Sequence, residues 1–393
     1  MTGHGHTPRR LTVLLPVVGL ITLAACGLAL LALSTARVGL VAELVGVTAA
    51  LLPVGPVVAA FLWVDRWEPE PARLLWLAFG WGACVATITA LLINNTAEAV
   101  GDLVLGKGNG DKISAVVSAP LFEEAAKGAF VLAILLRLRD EFDGVIDGVV
   151  YAGFVAAGFA FTENIYYFGR AFAEHGFGDT TTAGVVTAFI LRGVLSPFTH
   201  PLFTGMIGIG VGIAARTRYR QVRLMAPIAG YAAAVILHAL WNGSATLGSG
   251  KTFLNVYFLI MVPIFICGVW FVHWHRKREQ AIVTEALPVM VLQRMVAAEE
   301  LPRLASLTGR RAWRSEIRKR SGRQAARALA EYQAAVTELA FLRHARKAGT
   351  AEPNAAMQEA KLVSLLTDAR GDAVRLAGLR RIELPQQERS SER

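Results

Sequence analysis

Three charged side chains lie inside one long apolar stretch of this sequence. Residues 113–136 are predominantly apolar, and Glu123, Glu124 and Lys127 fall near their middle. The stretch is long enough to cross a bilayer as a helix, which needs about 20 residues. Each charge near the bilayer centre costs about 2.5–3.5 kcal/mol on insertion scales, so three together need a structural or functional reason. Glu123 and Lys127 share a helical face and can form a structural ion pair, but we favour a catalytic or ion-handling carboxylate.

The rest of the chain has the composition of a membrane protein. Of its 393 residues, 54% are hydrophobic and 18% are charged, which is too apolar for a soluble protein of this size. We predict eight spans, at residues 11–33, 38–64, 74–93, 113–136, 145–167, 194–215, 227–247 and 253–271. The expected fold is all-α, with a polytopic membrane helix bundle in residues 1–275 and a basic, helical cytoplasmic tail in residues 276–393.

Basic residues are concentrated in every second predicted loop. Arginine and lysine are enriched in the cytoplasmic loops of membrane proteins. With both termini in the cytoplasm, most of the basic residues that precede the tail in the sequence also fall on the cytoplasmic side. We therefore expect a multi-pass protein of the cell membrane, typically a bacterial plasma membrane, with both termini in the cytoplasm.

Four polar side chains interrupt the later predicted spans. They are Glu163, His200, His238 and Asn242. Singly, a histidine or an asparagine on an apolar helix is more often a satisfied packing residue than a functional one. Counted along the spans in the expected orientation, however, all of them share a depth with the two central glutamates, between the midplane and the outer third. Because such groups in lipid must pair or line a watery cavity, we predict one polar chamber that opens outward.

A chamber of this kind suits hydrolysis. A carboxylate can act as general base on a water, while histidine and asparagine position that water or donate to an oxyanion. Two glutamates and two histidines could instead bind a divalent metal such as zinc, which lowers the pKa of its bound water. The common zinc-protease pattern His-Glu-x-x-His is absent from the sequence. A metal mechanism and a glutamate-only mechanism both remain open.

Five short motifs resemble, in order, those of the PrsW family of intramembrane proteases. They are Glu123-Glu124-x-x-Lys127, Asp147-Gly-x-x-Tyr151, Phe159-x-x-x-Glu163-Asn164, Arg192 followed by His200-x-x-x-Thr204, and His238-x-x-Trp241-Asn242. Each motif alone is weak, but the five together within residues 38–250 are fairly specific. That family belongs to a wider group that includes CAAX prenyl endopeptidases and bacteriocin-processing membrane proteases.

The resemblance implies an endopeptidase that cuts membrane-bound proteins on their extracytoplasmic side. The best-known member cuts an anti-sigma factor, which does not by itself identify the substrate of this chain. The resemblance implies a water-activating base at Glu123 or Glu124, with the other in support. It also implies that His200 and His238 position water or metal. The implied site is Glu123, Glu124, Glu163, His200, His238 and Asn242. A metal, zinc if any, would bind Glu124, Glu163, His200 and His238.

Two other functional classes compete with a protease. Buried carboxylates and histidines also form proton relays, so a proton- or ion-coupled transporter is the alternative. No internal repeat pairs the two halves of the chain, although many transporters show one. A membrane scaffold that acts through its cytoplasmic tail is a third class.

The tail has a helical pattern and a strongly basic run. We predict helices at residues 323–347 and 355–368, separated by a break at residues 349–353. Residues 310–323 carry Trp313 among several arginines, and each basic residue near anionic lipid adds about 1 kcal/mol of attraction. The tail is therefore expected to bind anionic lipid or a cytoplasmic protein, while nucleic acid is not an expected partner.

Overall fold

Helices account for all the regular secondary structure that the protein shows in its described residues. The structure is a computed structural model, and it describes residues 9–67, 69–139, 142, 144–178, 184–349 and 354–379, with side chains from residue 18 onward. The predicted all-α fold is confirmed. The chain divides into two compact units, one of Met1–Asp65 with Glu70–Trp270, the other of Arg66–Pro69 with Phe271–Arg393.

Long helices in the described chain are assembled from α-helical and π-helical pieces. The α-helices are α1 (Arg9–Val38), α2 (Leu40–Val64), α3 (Ala72–Gly80), α4 (Thr87–Leu105), α5 (Gly110–Ile113), α6 (Ala119–Arg137), α7 (Val145–His175), α8 (Val185–Phe189), α9 (Thr199–Arg216), α10 (Arg220–Thr246), α11 (Gly250–Val256), α12 (Val262–Leu292), α13 (Leu301–Leu304), α14 (Leu307–Lys347) and α15 (Ala355–Ala377). The π-helical segments are Trp81–Ala86, Ser114–Ser118, Ile190–Leu195 and Tyr257–Met261, and a 3₁₀ turn covers Ala298–Glu300. Such π segments occur often at functional sites.

Seven helical stretches in the described chain are long and apolar enough to cross a membrane. They are Val18–Val38, Leu40–Val64, Ala72–Leu105, Val145–His175, Val185–Arg216, Arg220–Thr246 and Gly250–Leu292. Each overlaps one of the eight predicted spans, which confirms a polytopic membrane bundle. The remaining predicted span, residues 113–136, is helical too, but Glu123, Glu124 and Lys127 make it too charged to qualify by composition.

Helix α7 lies at the centre of the membrane unit and packs closely against α9. A Cβ added to Gly148 of α7 would lie 2.1 Å from the carbonyl oxygen of Gly208 in α9, and one on Gly208 would lie 2.3 Å from that of Gly148. Only glycine permits such backbone contact, a common use of small residues between membrane helices. The contact makes neighbours of the two helices that carry Glu163 and His200.

The second unit has a hydrophobic core of its own. It contains Trp67 from the Arg66–Pro69 segment together with Val283, Leu287, Met290, Leu304, Leu329, Tyr332, Val336, Leu339 and Leu366. The predicted tail helices are present, with α15 running to Ala377, and residues 350–353 of the predicted break lie outside the described residues. Gly322, at φ 87°, divides α14 into two helical halves.

Candidate active site

Three charged side chains of α6 meet in the interior of the membrane unit. Glu124 and Lys127 are fully buried, and Glu123 is 5% exposed. The ammonium of Lys127 lies 2.9 Å from Glu124 Oε1 and 3.3 Å from Glu123 Oε2. The i, i+3 and i, i+4 spacing on one helix allows a single lysine to reach both carboxylates. The helix therefore carries its own counter-charge for part of the site.

Glu124 uses both carboxylate oxygens to join α6 to α9 and α10. The hydroxyl of Thr204 donates to Oε2 at 2.8 Å, and His238 Nδ1 lies 3.0 Å from Oε1. Lys127 approaches the same Oε1. Because a buried carboxylate needs such partners, these contacts stabilise Glu124 and fix the ring of His238. Glu124 thus contacts the Nδ1 side of the His238 ring and leaves Nε2 directed towards Glu123.

Glu123 has one oxygen held and one facing the histidine. Asn94 of α4 donates from Nδ2 to Glu123 Oε1 at 3.1 Å, and the hydroxyl of Ser118 donates to Asn94 Oδ1 at 2.9 Å. The bond from Ser118 fixes which end of the Asn94 amide points at the glutamate. Glu123 Oε2 lies 3.9 Å from His238 Nε2. This distance is beyond direct hydrogen-bond length, and Lys127 donates to the same Oε2 at 3.3 Å.

A second carboxylate–histidine pair, Glu163 and His200, lies on the other side of Lys127 from Glu124 and His238. His200 Nε2 is 2.9 Å from Glu163 Oε2, and Arg192 donates from Nη2 to the same oxygen at 2.6 Å. Arg192 also donates from Nε to Asn164 Oδ1 at 2.8 Å. Lys127 Nζ lies 3.2 Å from His200 Nδ1, so the lysine links the α6 cluster to the α7–α9 pair.

Aromatic rings enclose the polar cluster. The Phe159 ring lies 3.8 Å below the Lys127 ammonium and 5.4 Å from the His200 ring. Phe203 stacks on His238 at 5.1 Å, and both phenylalanines are buried. A cation over an aromatic face is stabilised, and burial strengthens the electrostatic interactions of Lys127 with its two carboxylates. The site is a largely buried, preorganised group of charges within the bundle.

A comparison of the chain with protein-family models finds one family. Residues 70–267, about half of the chain, match the model described as PrsW family intramembrane metalloprotease. The chain belongs to the PrsW family. The match includes the helices that carry the whole cluster, and the predicted family is confirmed.

Curated relatives carry the same family name. Protease PrsW of Geobacillus kaustophilus is 30% identical over 168 residues, which are 43% of this chain and 66% of the relative. Protease PrsW of Oceanobacillus iheyensis is 30% identical over 153 residues, 39% of this chain and 63% of the relative, so the chain spans just under two thirds of each of these proteins. Protease PrsW of Bacillus subtilis is 24% identical over 231 residues, 57% of this chain and 91% of the relative. No solved structure gives a significant match.

The family description raises the question whether these residues fit a metal ion. Glu123, His200 and His238 each offer one ligand atom, and these atoms lie within 4.8 Å of one another. Two imidazoles and a carboxylate form a known catalytic zinc set, and a carboxylate behind a ligating histidine, as Glu124 lies behind His238, is its usual support. The residues fit a divalent metal. Lys127 is the competing cation, because it also approaches Glu123 and His200.

The structure brings together five of the six site residues predicted from the PrsW motifs. The predicted metal set contained Glu124 and Glu163, whereas the ligand atoms that lie close together include one of Glu123 instead. Asn242, the sixth residue, donates from Nδ2 to the carbonyl oxygen of Ala115 at 2.8 Å. Among the described side chains it therefore ties α10 to the segment that leads into α6, and it forms no hydrogen bond to a site carboxylate.

Two residues of this PrsW site have no counterpart in the sequence-based prediction. Asn94 and Ser118 support Glu123 through the hydrogen bonds described above. The available signal was Asn94 itself, an amide within the apolar stretch that forms α4. Arg192 and Thr204 appeared in the motifs without a role, and the structure gives each of them a charged or polar partner. Lys127 forms the expected pair with Glu123 and also contacts Glu124.

Proposed function

We propose that the protein is an endopeptidase that hydrolyses peptide bonds of membrane-bound protein substrates. The observation that carries this proposal is the convergence of Glu123, His200 and His238 from three helices, with a supporting carboxylate behind each histidine. A carboxylate, two imidazoles and fixed counter-charges in one largely buried site match the needs of peptide hydrolysis. Membership of the PrsW family supports the same reaction and does not favour an ion-coupled transporter.

Each carboxylate receives a distinct role in this proposal. Glu123 contacts the reacting water through Oε2, because that oxygen faces His238 Nε2 while Asn94 holds Oε1. Glu124 orients His238 and has its own oxygens occupied. Glu163, held by Arg192, orients His200 in the same way. This assignment places the first glutamate of the adjacent pair at the reacting centre.

Lys127 supplies the positive charge of the site. Its ammonium contacts Glu123, Glu124 and His200 at distances of 3.3, 2.9 and 3.2 Å. A fixed positive charge beside the reacting carbonyl stabilises the negative charge that develops on its oxygen. The same charge keeps two neighbouring carboxylates compatible in one buried site.

The proposed cofactor is a zinc ion, with Glu123, His200 and His238 as ligands. When bound, such an ion polarises a peptide carbonyl and lowers the pKa of its bound water. Glu124 and Glu163 then act by holding the two imidazole rings in position for the ion. The donor types and their closeness support this assignment.

The proposed substrate is a membrane-anchored protein cut on the extracytoplasmic side, such as an anti-sigma-factor-like regulator. Two arguments support this side. The distribution of arginine and lysine favours cytoplasmic termini, and the site residues then fall in the outer half of their helices. Resemblance to the PrsW family supports a membrane-anchored regulator as the class of substrate.

Removal of divalent metal is expected to abolish cleavage. The purified protein would be reconstituted in vesicles with single-span membrane proteins from the same cell, and product would be measured after treatment with a membrane-permeant chelator. Zinc added back should restore the rate, whereas magnesium should not, because two imidazoles and a carboxylate favour zinc. A vesicle sample given chelator already saturated with zinc is the control. Full activity after complete metal removal would contradict the zinc assignment and favour Glu123 alone as base.

Replacement of Asn94 by Leu is expected to lower the cleavage rate about 10–100-fold, the usual effect of losing a group that supports a catalytic ligand. The change leaves Glu123 Oε1 without its donor and the Ser118 hydroxyl without its acceptor. Initial rates and thermal unfolding of the reconstituted protein would be measured together. Asn95→Leu is the matched control, since Asn95 is the exposed neighbour on the same helix. Equal rates for the two variants would contradict a positioning role for Asn94.

A further inference from the structure

Helix α14 folds back on itself at Gly322 and forms a groove lined by arginines. The halves at residues 307–321 and 323–347 are held together by Arg310, which donates from Nη1 to the carbonyl oxygen of Gln333 at 3.0 Å and to Thr337 Oγ1 at 2.6 Å. One side of the groove has Arg311, Arg314, Ser315 and Arg318, and the other has Arg323 and Arg327. We call these six residues the arginine groove. Its volume is about 480 Å³.

Helical spacing explains why the arginines line one groove. Arg311, Arg314 and Arg318 recur at intervals of three and four, so they share one face of the first half. Arg323 and Arg327, four apart, share one face of the second half. Beneath them, Ile317 and Leu329 are buried in the core of the unit, which fixes both faces in place. The groove is thus a built feature of a packed hairpin.

The arginines of the groove have almost no acidic partners. Arg327 pairs with Glu331 at 3.1 Å in an exposed contact. In the part of the chain that the structure describes, the other four arginines form no ion pair with a carboxylate. The nearby acid Glu316 is directed to Arg303 at 3.3 Å. Five guanidinium groups therefore face one concave space with one weak, solvent-exposed partner among them.

Arginines of the second unit repel one another electrostatically. Burial and the neighbouring Arg311 lower the pKa of Arg314, and burial together with Arg311 also lowers the pKa of Arg66. Like charges held close together destabilise a fold, so an anion that binds between them gains their uncompensated attraction. The packing of the hairpin does not need these charges, because Trp313 and Ile317 supply its apolar contacts.

We propose that the arginine groove binds the phosphate of an anionic phospholipid headgroup. Guanidinium groups bind phosphate oxygens with two parallel hydrogen bonds, and Ser315 adds a hydroxyl donor. The chain has helices that span a membrane, so phospholipid headgroups are a source of phosphate that is always present beside the protein. Free polyphosphate shares the same chemistry and is separated from lipid by the experiment below.

Two residues of the predicted lipid-binding run do not belong to the site. Trp313 is 5% exposed and packs in the core, so it is not a membrane anchor. Arg310 is 4% exposed and donates to Leu304, Gln333 and Thr337 within the unit. The structure thus separates a structural arginine from the groove arginines, which the sequence pattern of residues 310–323 could not do.

The test is binding of short-chain lipid to the full-length protein in neutral detergent. Calorimetry would compare dioctanoyl phosphatidylglycerol, dioctanoyl phosphatidylcholine and inorganic pyrophosphate at physiological salt. We expect phosphatidylglycerol to bind and phosphatidylcholine not to bind. The double variant Arg314→Gln, Arg318→Gln should weaken phosphatidylglycerol binding about thirtyfold, the effect of two lost basic contacts. Thermal unfolding should be unchanged or higher, because repulsion is removed.

The matched control is Lys361→Gln, Arg375→Gln, which removes the same charge from exposed positions on α15. It should change lipid binding less than twofold. Pyrophosphate binding that depends on the groove and exceeds lipid binding would keep the phosphate site but overturn the lipid as its source. Equal losses in both double variants, or no binding of any phosphate compound, would overturn the site. Tighter, groove-dependent binding of a short single-stranded RNA would overturn it in favour of a nucleic-acid surface.

Discussion

The Glu123→Gln variant is expected to lose peptide cleavage by on the order of 10³-fold while it remains folded. Glutamine keeps the Oε1 that accepts the hydrogen bond from Asn94, so packing at the site is preserved. It loses the negative charge on the oxygen that faces His238 Nε2, which is the oxygen proposed to contact the reacting water and to bind zinc. Initial cleavage rates in vesicles and the unfolding midpoint of each variant would be measured on the same preparations.

Two further variants make the Glu123 result decisive. Glu98→Gln is the control for the same chemical change, because Glu98 is exposed on α4 and lies outside the cluster. Its rate should match the unchanged protein. Glu124→Gln should lower both rate and stability, since it disturbs the contacts to Thr204 and His238 at once. Retained cleavage in Glu123→Gln together with complete loss in a stable Glu124→Gln would reverse the roles of the two glutamates.

The division of labour between Glu123 and Glu124 illustrates what the sequence could not specify. Spacing alone places the two carboxylates in a membrane helix and shows that both need partners. Adjacent residues on a helix point about 100° apart, so their partners depend on how that helix is rotated against its neighbours. The rotation is set by packing of α6 against α4, α9 and α10, through contacts such as those of Asn94 and Thr204.

Membrane helices were predictable because their signal is a simple run of apolar residues. The polar residues within those runs were predictable as a group, since lipid forces them together. Asn242 shows the limit of that argument: it shares a helical face with His238, yet its amide satisfies a backbone carbonyl. In the tail, the pattern indicated helices but gave no sign that Gly322, at φ 87°, turns α14 into a hairpin.

The Lys127→Met variant is expected to be the most destabilising single change in the site. Methionine keeps much of the side-chain volume but leaves Glu123 and Glu124 buried without their shared cation. Removing one partner of a buried ion pair typically costs about 3–5 kcal/mol, because the charge that remains is neither solvated nor paired. The free energy of unfolding would be measured by detergent-induced unfolding of the purified protein, with Lys251→Met, at an exposed lysine, as the control.

A double variant then separates charge from packing. Adding Glu124→Gln to Lys127→Met removes one uncompensated charge, so part of the lost stability should return, with a coupling of about 1–3 kcal/mol. Such recovery would mean that Lys127 stabilises the site through the charges it neutralises. If the double variant were less stable than the unchanged protein by the sum of the two single losses, the lysine would act through packing alone. Its proposed electrostatic role in catalysis would then fail as well. Activity should stay low in the recovered double variant, because neither the ammonium nor the carboxylate that orients His238 is restored.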